Sequence, residues 1–182
     1  MNYLLRGMPT DLLTSNREVF RRMRVDVGQT GLFEGREFRS FKRFDLANGA
    51  VLAMRFVSPV PFILFDESIV ITAGEVDSTA YRAASDVAGV WTPVTAIGRN
   101  TMPTRPAPYY QPQARLEFGG TYTPGDEVGP PILVKSANAT AQQTSITGSS
   151  RERALDAGTY YIRLTAVAAA KGCYYLDWEE RP

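Results

Sequence analysis

"AGTYYIRLTAVAAAKGCYYLDWEE" (Ala157–Glu180) alternates in two blocks. Tyr160, Ile162, Leu164 and Ala166 share one side of the first, and Tyr174, Leu176 and Trp178 share one side of the second. Side chains on a strand point to opposite faces with period two, so each block reads as a strand with one apolar face. Cys173, Asp177 and Glu179 fall on the opposite face of the second block, and Tyr161, Arg163 and Tyr175 would meet solvent, a partner chain or a second layer. The intervening "AAAKG" can turn the pair into a hairpin. This ending predicts an antiparallel, all-β fold.

Upstream stretches repeat the pattern. In "EGREFRSFKRFDL" (Glu34–Leu46), Phe38, Ser40, Lys42, Phe44 and Leu46 share one face, while Glu37, Arg39, Phe41, Arg43 and Asp45 share the other. Asn48-Gly49 marks a tight turn, and Leu52, Met54 and Phe56 then alternate, so residues 34–57 read as a second hairpin. "VPFILFDESIVITAGEVD" supplies one or two strands with a turn or bulge at Asp66–Ser68, and Gly74 through Asp77 is expected to turn the chain. The Ala-rich centre of "STAYRAASDV" leaves a helical turn and an irregular strand both open. "ARLEF" and "ILVK" read as short strands around a glycine- and proline-rich loop, "TPGDEVGPP".

With 182 residues, 15 glycines and 12 prolines, the chain suits one domain of short strands and many turns. The expected architecture is a single antiparallel β-sandwich, jelly-roll-like or related, over residues 19–182. Residues 1–18 form an N-terminal arm or short helix ahead of it. "GRNTMPTRPAPYYQPQ" (Gly98–Gln113) has four prolines and reads as an extended connector or contact loop. The start does not read as a secretory signal, and no apolar run is long enough to cross a bilayer as a helix. The expectation is synthesis in the cytoplasm without membrane insertion.

Histidine is absent, which removes the usual neutral-pH acid/base and the commonest metal ligand. A single cysteine, Cys173, excludes an internal disulfide and a thiolate-rich metal cluster. No cofactor, metal or catalytic set is expected. Asp66, Glu67, Glu75 and Asp77 are the nearest approach to a carboxylate site, with Asp126 and Glu127 as a second acidic pair. The formal charge of +1 creates no general field for a polyanion. The first sixty residues nevertheless carry ten basic against six acidic side chains, and the rest ten against thirteen.

Arg36, Arg39, Lys42 and Arg43 could contact phosphates while Phe41 stacks on a base. Strand geometry sends Arg39 and Lys42 to opposite faces, however, so a solvated or interface strand is the preferred reading and no direct nucleic-acid contact is expected. Tyr109, Tyr110 and Arg105 offer flat amphipathic area on a stiff backbone, suited to a protein interface, to bracing the chain's own fold, or to stacking on a sugar. With Phe41 and the arm residues Leu4 and Leu5, they make up the candidate contact set.

"LDAGTYYIRL" followed by "GCYYLDWEERP" resembles the closing hairpin of bacterial and phage β-sandwich accessory modules. The whole chain resembles small structural proteins encoded among the head, tail and fibre genes of tailed bacteriophages, on "GLFEGREFRSF", "GRNTMPTRPAPYYQPQ" and "YYLDWEERP". That resemblance implies a non-enzymatic virion component of collar, tail-tip, fibre-attachment or decoration type. It would form homo-oligomers and join other virion proteins. The alternative is a carbohydrate-binding sandwich that attaches a particle to a host-surface glycan.

Overall fold

The computed structural model describes residues 30–100, 110–128, 131–136, 142–145 and 153–182. Apart from Thr30, these belong to the unit Gly31–Pro182. The expected arm with Leu4 and Leu5, and Arg105 and Tyr109 of the connector, lie outside the described residues. Among the described residues one helical turn, α1 (Thr30–Glu34), leads into eleven strands. In order they are β1 (Glu37–Leu46), β2 (Val51–Ser58), β3 (Phe62–Ala88), β4 (Thr92–Pro93), β5 (Ile97–Gly98) and β6 (Arg115–Phe118). Then follow β7 (Thr121–Glu127), β8 (Ile132–Lys135), β9 (Gln142–Ser145), β10 (Arg153–Leu155) and β11 (Gly158–Glu180).

The fold is all-β and antiparallel, as expected. Its layers belong to one hydrogen-bonded sheet curled into a half-barrel. Strand β11 is the axis. One edge pairs with β3 along nearly its whole length, from Tyr160↔Arg82 to Glu180↔Phe62. Its other edge pairs first with β2, Gly158↔Ser58 to Thr165↔Val51, and then with β1, Leu46↔Ala170 to Glu37↔Glu179. Strands β7, β8, β9 and β10 follow one another along the far edge of β3. Beyond β1 and β2 lie β5 and β6, and β4 pairs with β6.

The closing hairpin is therefore absent. "AAAKG" does not reverse the chain, and Tyr160 to Trp178 lie on a single 23-residue strand. Gly172 has an ordinary backbone conformation. Its role is close approach, because a Cβ there would run into the Val70 carbonyl oxygen and the Phe44 ring. The irregularity of this region is absorbed where Val167–Ala169 stand exposed opposite Gly74, between the partners Ala166↔Val76 and Lys171↔Ala73. Gly74 has φ +81°, and a Cβ on it would strike the Ala169 carbonyl, so this is a glycine-dependent bulge and not the expected turn. Both apolar blocks keep one face because Ala170 lies four positions after Ala166, an even number.

The expected hairpin at 34–57 is also corrected. Strands β1 and β2 lie end to end along the same edge of β11, and the Ala47–Ala50 step only jogs the line. The jog is pinned by hydrogen bonds from Gly49 N–H to Ala166 O (2.8 Å) and from Ala166 N–H to Ala50 O (2.9 Å). A long central strand makes this possible, since it can serve both segments at once. Likewise, "VPFILFDESIVITAGEVD" and the Ala-rich stretch join into the single 27-residue β3. The irregular-strand reading holds there, with positive φ at Ala83 and Asp86. At Asp66–Ser68, where a turn or bulge is expected, the pairing is regular, and the register shift falls just before it at Phe65, between Asp177↔Asp66 and Trp178↔Leu64. "TPGDE", expected as loop, belongs to β7, a marginal strand that tolerates Pro124.

The core fills the inner face. Trp178, Tyr174, Met54, Ile69, Ile71, Leu116, Leu164 and Val134 are fully buried there, with Phe38, Phe56 and Phe62 around them. Phe56 packs edge-on against Trp178 at 5.1 Å and tilted against Phe62 at 4.9 Å. Each large side chain so buried contributes about 1.5–3 kcal/mol.

Candidate functional site

The sheet's outer face carries the strongest candidate contact surface. Cross-strand partners on β1 and β11 stack in rows: Arg39 with Asp177, Phe41 with Tyr175, and Arg43 with Cys173. The Phe41 ring is 39% exposed and lies 6.1 Å from the Tyr175 ring, tilted by 33°. Beside it Arg39 grips Asp177 through two hydrogen bonds of 2.6 Å, from Nε to Oδ1 and from Nη2 to Oδ2. That bond raises the Arg39 pKa further. Lys171 pairs with Asp45 at 2.8 Å on the rim. Below the rings, burial pushes the Cys173 thiol up, which disfavours a reactive thiolate. The result is an aromatic pair held in place by its neighbours and framed by paired charges.

The four basic residues considered for phosphate contact are not brought together. Arg36 pairs with Glu34 and lies 3.8 Å from Glu179. Arg39 is committed to Asp177. Lys42 stands on the inner side, its Nζ 3.3 Å from the centre of the Phe118 ring. That contact, a cation over an aromatic face, explains a lysine in an apolar row. Arg43 remains on the outer face beside Cys173.

Tyr110 braces the protein's own fold. Its hydroxyl donates to Glu180 Oε2 at 2.8 Å and accepts from Gln113 Nε2 at 2.8 Å, and its ring lies 6.1 Å from Phe38. Burial and Glu180 push its pKa up to about 12. Glu180 is wholly buried and also accepts from the backbone N–H groups of Gln113 (3.0 Å) and Ala114 (2.9 Å) and from Trp178 Nε1 (3.3 Å). One carboxylate thus clamps residues 110–114 onto the end of β11. Sequence reasoning passed over it, although the signal was present. Glu180 continues the apolar register of Tyr174, Leu176 and Trp178, where an acid needs buried donors.

The acidic residues weighed as catalysts or ligands are dispersed. Asp66 lies on the outer face and Glu67 on the inner. Glu67 accepts from Tyr174 Oη at 2.9 Å, both side chains being buried, and burial raises its pKa. Glu75 meets Lys135 at 3.4 Å. Glu37 meets Arg99 at 3.1 Å, and its pKa is raised, chiefly by burial. Burial alone would raise the Glu117 carboxyl, but hydrogen bonds from Arg115 (2.7 Å) and Arg55 (2.5 Å) outweigh it and hold the pKa below the usual value. Among the described residues, no group of three His, Cys, Asp or Glu side chains gathers as metal ligands would.

Of the tyrosines on the outer face, Tyr161 meets a second layer. Tyr122 packs on it at 4.8 Å, and Trp91 at 6.5 Å. Arg55 lies 4.4 Å over the Trp91 ring. This plug buries Trp91 Nε1 and Tyr122 Oη without hydrogen-bond partners, and burial raises the Tyr122 pKa. Both orphaned groups cost stability, which the aromatic packing offsets. Comparison with protein-family models, curated proteins and solved structures finds no match to this chain.

Proposed function

We propose that this protein is a non-enzymatic, self-associating structural component of a tailed-phage virion, joining head, collar, tail or fibre parts. The observation that carries self-association is the Phe41–Tyr175 pair on the outer face, Phe41 exposed and Tyr175 half-buried, held between the Arg39–Asp177 ion pair and the Lys171–Asp45 rim. Preorganised aromatic groups framed by polar ones lose little freedom on docking, and they are the kind that dominate interface energetics. The engagement of Glu37, Glu67, Glu117 and Glu180 in holding the fold supports a structural role. The virion setting rests on the resemblance of "GLFEGREFRSF", "GRNTMPTRPAPYYQPQ" and "YYLDWEERP". Leu4, Leu5, Arg105 and Tyr109 belong to the same proposal as further contacts, since a lasting interface buries on the order of 1,200–2,000 Å² in total.

Light scattering during size-exclusion chromatography tests this. The wild-type chain should form a closed oligomer, and Phe41→Ala should shift it toward monomer with its melting temperature unchanged. A strictly monomeric wild type, or a variant that assembles equally well, overturns the reading. The same ring with its polar frame also suits stacking on a sugar, which favours a glycan-binding module as the second reading. A monomer that binds a polysaccharide saturably, and loses that binding in Phe41→Ala, would select it.

A further inference from the structure

The inner face holds a cavity that the proposed function does not use. Partly open to the surface, it offers about 50 Å³ near the end of the half-barrel where β10, β3, β11 and β2 meet. Phe56, Phe62, Leu64, Leu155 and Tyr160 line it, and Phe62 meets Tyr160 edge-on at 5.6 Å. A water needs roughly 10–15 Å³ on this measure and two to four polar partners. The space would therefore admit about four water-sized groups, but its walls are almost wholly apolar. Such a cavity favours an apolar guest over water.

Two polar features bound it. Glu67 and Tyr174 lie in its wall, hydrogen-bonded to each other at 2.9 Å. A guest's polar end placed there would compete with a bond already made. Arg153 is the cation of the wall, and its charge already favours the ionised form of the Glu67 carboxyl nearby. It pairs with Leu64 across the edge strand β10, which directs both side chains to the inner face, and it is exposed while lining the same cavity. A cation at the rim and aromatic and aliphatic walls below it specify an anionic head and an apolar body.

We propose that this cavity binds a short-chain monocarboxylate, with an apolar body of roughly four to six carbons among Phe56, Phe62, Leu64 and Leu155 and its carboxylate on Arg153. The site opens on the inner face and is separate from Phe41 and Tyr175 on the outer one. Occupancy and self-association can therefore be measured independently.

The test is an NMR titration of the full chain with hexanoate, hexan-1-ol and hexylamine, followed at the amides of Leu64, Leu155 and Ile162. Hexanoate should bind saturably in the millimolar range or below, hexan-1-ol more weakly, and hexylamine least. Arg153→Ala, a change at an exposed position, should weaken hexanoate roughly three- to tenfold and leave hexan-1-ol unaffected. Leu155→Trp should block all three by filling the rim. Failure of hexanoate to saturate overturns the proposal, as does stronger binding of hexylamine. So does hexanoate binding that Arg153→Ala leaves intact.

Discussion

Replacing Glu180 with glutamine would change one atom type at a site with no room to adjust. The carboxylate accepts from four donors: Tyr110 Oη, the Gln113 and Ala114 N–H groups, and Trp178 Nε1, at 2.8 to 3.3 Å. A glutamine side chain has one oxygen to offer, and its NH₂ would face donors in place of the other. One or two buried donors would then lack a partner, at about 1–3 kcal/mol each. Relief from burying a charge offsets part of this, so we expect a loss of about 2–4 kcal/mol. For a chain of this size that corresponds to a melting temperature lower by roughly 5–15 °C. Urea unfolding should give the same loss with an unchanged m-value. Native-state hydrogen exchange supplies the local readout, since the Gln113 and Ala114 amides should lose protection before the centre of β11 does. Tyr110→Phe should cost about 1 kcal/mol, and the double variant should lose less than the sum of the two. A Glu180→Gln protein that melts within about 1 °C of wild type, with those two amides still protected, would refute the clamp.

The same tyrosine predicts a response to alkali. Its folded pKa is about 12 against an ordinary value of 10.0, so its contribution is intact below pH 10 and is lost as pH rises toward 12. Stability measured across that window should fall less steeply in Tyr110→Phe. For Glu67 the raised pKa means that ionisation opposes folding: its contribution is fully present below about pH 4.5 and is lost as pH rises. Glu67→Gln should therefore be at least as stable as wild type at pH 7 and lose that advantage in acid, as urea titrations at both pH values would show. Glu117 has the opposite sign, its lowered pKa stabilising the fold above about pH 4.5 and less as pH falls. Glu117→Gln should be destabilising at pH 7 and less so as pH falls below about 4.5. Gly74→Ala should cost roughly 2–4 kcal/mol in chemical denaturation, because its added methyl meets the Ala169 carbonyl.

Face assignment was legible in the residues. Tyr160, Ile162, Leu164, Tyr174, Leu176 and Trp178 share the inner face as their spacing requires, and Arg39 and Lys42 part to opposite sides. Period two is a local property of the extended backbone, so it can be read without knowing any partner. Anomalies in that pattern were visible too, in Lys42 and Glu180 among apolar neighbours. What satisfies them is remote in sequence: Phe118 for Lys42, and Tyr110, Gln113 and Ala114 for Glu180.

Strand ends and pairing belonged to the tertiary structure alone. "AAAKG", Asn48-Gly49 and Gly74 are all compatible with a reversal of the chain, and none makes one here. In each case the alternative was a continuous ladder with a distant strand, which satisfies more backbone groups and buries both apolar blocks on one surface. Local residues set which way a side chain points. Whether the chain turns or runs on depends on the free energy of pairing β11 with β1, β2 and β3, and that term exists only once the sheet has assembled.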